Sequence, residues 1–160
     1  MDGVSAVGFT GFTAGDYYIV VRHRNHLGII TAVKQTINGI SGTPVPYSLS
    51  QASVWQKYSI SILTPPNNNA AMRDTTSGNS VMWGGNVNSN TNVRYTGGAN
   101  DVASLSAALG GIQSGVLSNV YNAADINMNG NVRYTGGSND LVFISTVLSA
   151  VQAAVLSQHL

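Results

Sequence analysis

The chain has no cysteine among its 160 residues, and only 8% of the residues are charged, compared with about 25% in an average domain. Without thiols, the chain has no thiolate chemistry, zinc-thiolate sites or disulfide bonds. Seven basic and six acidic residues give a net charge of +1. Scattered over the whole chain, they form no basic surface for nucleic acid, and we expect no nucleic-acid partner.

Long apolar runs are also missing. No stretch of about 20 apolar residues is present to span a membrane, and the first residues, MDG, do not begin a signal peptide. We expect no membrane insertion. The sequence also lacks a cysteine nucleophile and a glycine-rich phosphate loop with lysine, and it is poor in acids. We therefore expect a protein that is not an enzyme.

The most informative feature that is present is an internal duplication. Residues 86–101 have the sequence NVNSNTNVRYTGGAND, and residues 125–140 have the sequence DINMNGNVRYTGGSND. The copies align without a gap at an offset of 39 residues, and each ends in Asp before an apolar segment. A duplication this close indicates that one local motif is used twice.

The second copy has oxygen-bearing side chains at alternate positions before a glycine, as in a calcium loop of the EF-hand type. Position 12 of such a loop would be Gly136, which has no side chain. We therefore expect residues 134–137 to form a bulge that lets a later carboxylate close the site. The predicted Ca²⁺ ligands are Asp125, Asn127, Asn129, Asn131 through its backbone carbonyl, and Asp140.

The first copy has less negative charge, because amides replace its first acid and Thr91 replaces Gly130. Ligand charge tunes calcium affinity, so this site is expected to be weaker. The alternative is that both copies are Asn/Gly-rich turns leading into VRYT strands. The predicted ligands of the first site are Asn86, Asn88, Asn90, Asn92 and Asp101.

Asp140 has a second predicted role, as the N-cap of a helix. Apolar residues recur at helical spacing from Leu141 to Val155, and residues 116–123 are expected to form a helix leading into the second loop. If Asp140 acts as a cap and a ligand only, Asp140→Asn should leave the calcium-free melting temperature unchanged and remove most of its rise with calcium.

The first half has β character. Strands are expected at Val4–Phe9, Tyr17–Arg24, Leu27–Val33 and Val54–Leu63, with a turn at Asn25. The sequence therefore predicts an α+β fold: an antiparallel β-sandwich-like domain over residues 1–63, a linker over residues 64–80, and a duplicated EF-hand-like loop–helix module over residues 81–160.

The two loop segments resemble the paired loop–helix repeats of large secreted bacterial surface proteins, a dockerin-like calcium module. AGDYYIVVRHRNHLGIITA, Ala14–Ala32, resembles the β region that precedes those repeats. The resemblance covers most of the chain except residues 34–78. It implies an extracellular, non-enzymatic module, commonly associated with type IX secretion, and the chain is then expected to be a fragment of a longer precursor.

Three smaller features have predicted roles. His23 and His26 are expected to diverge on a solvated hairpin rather than bind a metal. The repeated Arg-Tyr pairs at residues 94–95 and 133–134 are expected to support the loops, with arginine holding the bulge and tyrosine packing beneath it. Asp74-Thr75-Thr76 resembles an O-glycosylation acceptor of such secreted proteins, although plain linker is the simpler interpretation.

Two functions remain open. The first is a structural module that self-associates into a surface fibre or layer through strand edges, which the low charge favours. The second is an adhesion module that docks a receptor domain or binds a glycan, and the duplicated helices favour it.

Overall fold

The first part of the fold is one long, irregular hairpin. A computed structural model describes residue 11 and residues 13–38, 49–57 and 70–160 of the chain. Four short strands, β1 (Gly15–Tyr17), β2 (Val20–Val21), β3 (Ile29–Ile30) and β4 (Gln35–Ile37), form two nested antiparallel pairs, β1 with β4 and β2 with β3. The tip of this hairpin, residues 22–28, contains the predicted turn. The predicted strand Val4–Phe9 lies outside the described residues.

A second hairpin lies where the sequence predicts a linker. Strands β5 (Met72–Asp74) and β6 (Ser80–Met82) pair antiparallel. From residue 70 onward the expected connector is therefore an ordered hairpin. The reason is that Ala71 and Met72 are buried against Ile29 and Val54 in a small apolar cluster. Residues 58–69, with the remainder of the linker and most of the last predicted strand, are outside the described part.

The duplicated half contains two equivalent sets of elements. The first repeat has β7 (Asn92–Arg94), α1 (Asp101–Ala108) and β8 (Val116–Ser118). The second has β9 (Asn131–Arg133), α2 (Leu141–Val147) and β10 (Val155–Ser157). Each repeat contributes its last strand to the other, because β8 pairs with β9 and β10 pairs with β7 in the same register. The two repeats are thus reciprocally joined.

Two helix predictions are wrong. Residues 116–118 form strand β8 rather than the start of a helix, and α2 ends at Val147 rather than continuing to Val155. The backbone explains the early end, because Ser149 and Ala150 adopt positive φ angles of 53° and 60°. The equivalent residues of the first repeat are Gly110 and Gly111, which adopt positive φ without a steric cost.

The main core lies between the repeats and accepts side chains from the first half. Trp83 is buried in it, and Leu27, from the tip of the first hairpin, donates its backbone N–H to the carbonyl of Trp83 at 2.8 Å. The repeats contribute mostly paired positions, namely Val93 and Val132, Leu105 and Ile144, and Leu109 and Leu148. The hairpin tip is therefore fixed against the duplicated half.

The described chain is a small mixed fold of five two-stranded antiparallel pairs and two helices. The expectation of a fold with both helices and antiparallel strands is confirmed at that level. The β-sandwich, the EF-hand-like module and the domain boundaries stay predictions. Neither of the two helices in the described ranges is long and apolar enough to cross a bilayer.

Candidate metal-binding loops

The alternating Asn side chains fold both loops in the same way. In the second loop Asn127 Oδ1 accepts a hydrogen bond from the N–H of Asn129 at 3.0 Å, and Asn129 Oδ1 accepts one from the N–H of Asn131 at 2.8 Å. Asn88 and Asn90 make the same bonds in the first loop, at 3.1 and 2.8 Å. Each amide oxygen has a second lone pair, although that of Asn129 already accepts a bond from Asn131 Nδ2 at 3.3 Å. The turns thus leave oxygen sites for a cation at the other Asn side chains.

The first position differs between the loops. The carboxylate of Asp125 is buried, and its oxygens accept hydrogen bonds from the N–H groups of Asn129 and Gly130, both at 3.0 Å. Arg24 forms an ion pair with Asp125 at 3.2 Å. In the first loop Asn86 donates from Nδ2 to the carbonyl of Asn90 at 2.7 Å. The second loop thus carries more negative charge, part of which Arg24 already balances.

The closing carboxylates reach back to the start of each loop, as the bulge prediction requires. Asp140 Oδ1 accepts hydrogen bonds from the backbone N–H groups of Ile126 and Asn127, at 2.7 and 3.3 Å. Its Oδ2 accepts one from the backbone N–H of Arg133 at 2.8 Å. Asp101 makes the equivalent bonds to Val87, Asn88 and Arg94, at 2.8, 3.4 and 2.8 Å. Both acids therefore connect the first residues of the loop to the following strand, a structural role that the sequence analysis did not predict.

Asp140 occupies the predicted N-cap position of α2, but its side chain makes no cap hydrogen bond, because its oxygens are turned into the loop. Asn139 provides the bond instead, with Oδ1 accepting from the N–H of Val142 at 3.0 Å. Asn100, the equivalent residue of the first repeat, is the N-cap of α1, and its Oδ1 accepts from the N–H of Ala103 at 2.8 Å.

The two closing acids, Asp101 and Asp140, are buried. Desolvation raises the pKa of Asp101 and of Asp140 above the usual value, although the backbone amides oppose the change. The negative charge of Asp125 raises the pKa of Asp140 further. Two carboxylates thus repel one another in the second loop, and a bound cation would relieve that repulsion.

Two oxygens of the first loop have no donor. Asn86 Oδ1 and Asn92 Oδ1 are buried and have no hydrogen-bond partner among the described residues. An unpaired buried oxygen is costly, and a hard cation such as Ca²⁺ takes oxygen ligands of this kind. The oxygen ligands of the first loop therefore fit Ca²⁺. Most of the candidate ligands are Asn side chains. The described residues accordingly contain no cluster of three or more His, Asp or Glu side chains placed to hold a metal.

The hairpin tip connects the two loops, which sequence reasoning missed. The carbonyl of Asn25 accepts hydrogen bonds from the N–H groups of Gly85 and Asn86, at 2.9 and 3.0 Å, and its Nδ2 donates to the carbonyl of Asp125 at 2.7 Å. The one available signal was the polar RHRNH segment at a predicted turn. His23 and His26 do not diverge as expected, because their Nδ1 atoms are 2.8 Å apart.

The remaining predicted features lie near the loops or in the second hairpin. Tyr95 and Tyr134 pack against the main core, and their packing beneath the bulge stays a prediction. Arg94 and Arg133 contribute the backbone N–H groups that Asp101 and Asp140 accept. Thr75 hydrogen-bonds to the carbonyl of Asn79 at 2.9 Å in the turn between β5 and β6, and its glycosylation stays a prediction.

Comparison with protein-family models, curated proteins and solved structures finds no match to this chain. The function must therefore be argued from the geometry of the loops and their surroundings.

Proposed function

We propose that this chain is a non-enzymatic extracellular structural module whose duplicated half is stabilised by Ca²⁺. The main support is the repeated loop geometry, in which alternate Asn oxygens and a buried closing carboxylate, Asp101 or Asp140, lie at the start of each loop. In this proposal residues 81–160 are an EF-hand or dockerin-like module, joined through residues 64–80 to a sandwich-like domain over residues 1–63.

The second loop would hold the more tightly bound ion, because it has two carboxylates where the first loop has one. Its ligands would be side-chain oxygens of Asp125, Asn127, Asn129 and Asp140, and the carbonyl of Asn131. The first site would use Asn86, Asn88, Asn90, Asn92 and Asp101. Arg24 competes for the charge of Asp125, so we expect the modest affinity of extracellular calcium modules, about 10⁻⁴ to 10⁻³ M.

Matched variants of the two loops test this proposal. Asn127→Ala and Asn88→Ala remove equivalent turns, and both side chains also donate to a carbonyl across the loop, at 2.9 Å to Ser138 and 2.7 Å to Ala99. In chelator both variants should therefore melt at similarly lowered temperatures. Millimolar calcium should stabilise the wild type by about 0.5 to 1.5 kcal/mol per site, and Asn127→Ala should lose more of this gain than Asn88→Ala.

Melting in calcium and in chelator, together with titration calorimetry, measures both effects. If several millimolar calcium produces neither heat nor a higher melting temperature, the loops are only turns and the proposal fails.

Self-association is the second part of the proposal. Each strand pair among the described residues has only two strands, and the edge of a sheet can add a strand from another copy. Large apolar side chains are exposed nearby, such as Tyr121, Val33 and Ile112, which are 81%, 65% and 62% exposed. The low net charge gives little repulsion between copies. These features favour assembly into a surface fibre or layer.

Docking to a receptor or a glycan is the second candidate function. Helix α2 exposes Val142 and Phe143 at its start, and an exposed apolar helix surface can be bound by a partner domain. A protein that remains monomeric with calcium would favour this candidate over self-association.

A further inference from the structure

Three metal-ligand atoms converge at the tip of the first hairpin. His23 Nδ1 and His26 Nδ1 are 2.8 Å apart, and they lie 3.1 and 2.8 Å from Asn25 Oδ1. The imidazole rings meet edge to face, with centroids 4.7 Å apart and an interplanar angle of 77°. The three atoms form a nearly equilateral triangle.

The orientation of Asn25 in this triangle is fixed. Its side chain is buried, and Nδ2 donates to the carbonyl of Asp125 at 2.7 Å. Exchanging the amide oxygen and nitrogen would place the oxygen of Asn25 against the carbonyl oxygen of Asp125. The amide oxygen must therefore face the histidines.

Protons alone cannot satisfy all three atoms. The oxygen of Asn25 is only an acceptor, and each neutral ring has at most one proton on Nδ1. If only one ring carries that proton, the bare nitrogen of the other ring faces the amide oxygen, at 3.1 Å for His23 or at 2.8 Å for His26. If both rings carry it, two protons meet between nitrogens 2.8 Å apart. A single cation in contact with all three atoms removes this conflict.

The size of the triangle indicates the kind of cation. Two ligands at about 2.0 to 2.1 Å from an ion lie about 2.9 Å apart at a right angle, and about 3.3 Å apart at the tetrahedral angle. The observed separations match the right angle, which octahedral and tetragonal sites use. Imidazole nitrogen combined with oxygen in that geometry is typical of Ni²⁺ and Cu²⁺.

Arg24 brings a positive charge close to the two histidines. This charge is partly balanced, because the guanidinium pairs with Asp125 at 3.2 Å and lies 4.0 Å from the ring centroid of Tyr121.

A cavity of about 310 Å³ is lined by both histidines. Arg22, Asn86, Asn90 and Gln158 also line it. These cationic and amide groups suit water or a small anion as the remaining ligands of a bound ion.

We propose that His23, Asn25 and His26 form a binding site for a divalent transition-metal ion, with Ni²⁺ and Cu²⁺ preferred over Zn²⁺. Its ligand chemistry differs from that of the calcium loops, although Asn86 and Asn90 of the first loop line the same cavity. Through Asn25, which also contacts both loops, a bound ion would fix the hairpin tip against the duplicated half.

Copper titration of the full chain in excess calcium tests the proposal, since calcium then fills the loops. Electron paramagnetic resonance of the Cu²⁺ complex should show coupling to two imidazole nitrogens. Calorimetry should give an affinity for Ni²⁺ that falls more than about tenfold in His23→Ala and in His26→Ala. The matched control is the double variant, in which His159 is the only histidine of the chain.

Two results would overturn the proposal. The first is a wild-type copper spectrum with fewer than two imidazole nitrogens. The second is binding by the double variant as tight as that of the wild type, which would place the metal elsewhere. Melting curves establish that each variant is folded, and the spectrum of the wild type decides the matter even if a variant does not fold.

Discussion

At the scale of single residues, the most consequential side chains are the two closing acids. The carboxylate of Asp140 accepts hydrogen bonds from three backbone N–H groups. Asn at this position would present one oxygen and one NH₂ group to the same N–H groups. We expect Asp140→Asn to destabilise the calcium-free protein by about 1 to 3 kcal/mol, because a buried donor loses its acceptor. Urea denaturation in chelator measures the change.

The duplication supplies the matched variant, since Asp101→Asn should cost a similar amount for the same reason. Asp16→Asn is the control at an exposed acid whose carboxylate accepts from Thr36 at 2.7 Å. An unchanged calcium-free stability in Asp140→Asn, which the sequence alone predicts, would show that the amide bonds to this residue contribute little.

The sequence showed that an acid ends each loop, but it did not predict which backbone groups the oxygens of that acid bond. Alternating Asn residues before a glycine are a local signal, and the turns they form are local too. Which of Asn139 and Asp140 caps the helix depends on amides 13 and 14 residues earlier in the chain. That competition is tertiary, so sequence spacing could not resolve it.

At the scale of elements, the ends of the two helices differ in strain. Ala150 adopts a φ of 60°, and its equivalent, Gly111, adopts a φ of 79° with no atom near the position a Cβ would occupy. A side chain in the left-handed region costs about 1 kcal/mol or more. We therefore expect Ala150→Gly to stabilise the protein and Gly111→Ala to destabilise it, each by about 1 kcal/mol.

Chemical denaturation of the two single variants and of their combination measures both effects. The combination should be close to the wild type, because the sites are equivalent and each change reverses the other. If Ala150→Gly destabilises the protein, the entropy that glycine loses on folding exceeds the relief of strain.

The same turns explain why the helix prediction extended too far. Apolar residues continue at helical spacing through Val151 and Val155, but the chain reverses at Ser149 and Ala150, and Val155 lies in β10. A signal for the strands was present, because Val-Leu-Ser recurs at the 39-residue offset in β8 and β10. Extending the repeat beyond residue 140 would have predicted two equivalent strands.

At the scale of the whole molecule, the first hairpin and the duplicated half share contacts that the sequence could not predict. Asn25 bonds to Asp125, 100 residues later, and Leu27 lies in the core of the repeats. Local patterns identify each half, but only the folded chain brings the hairpin tip between the loops.

Self-association is the prediction that belongs to this scale. If copies join through strand edges and apolar contacts, assembly should persist at high salt, because screening weakens only ionic contacts. Sedimentation at low and high salt, in calcium and in chelator, measures assembly, and electron microscopy shows its form. A clean monomer at high protein concentration in calcium would contradict the fibre or layer.

The two strand pairs that join the repeats differ in the length of chain between their partners, and therefore in the order in which they should form during folding. Ser118 lies 13 residues before its partner Asn131, whereas Asn92 must find Ser157, 65 residues later. Closing the fivefold longer loop costs about 1.4 kcal/mol more in chain entropy, and distant pairings form more slowly. During folding the β8–β9 pair should therefore form before the β7–β10 pair, so that pulsed hydrogen exchange finds Val132 protected earlier than Val93. Two loops that are equivalent in the folded protein are then completed in a fixed order, because the strand that follows the second loop is paired before the strand that follows the first.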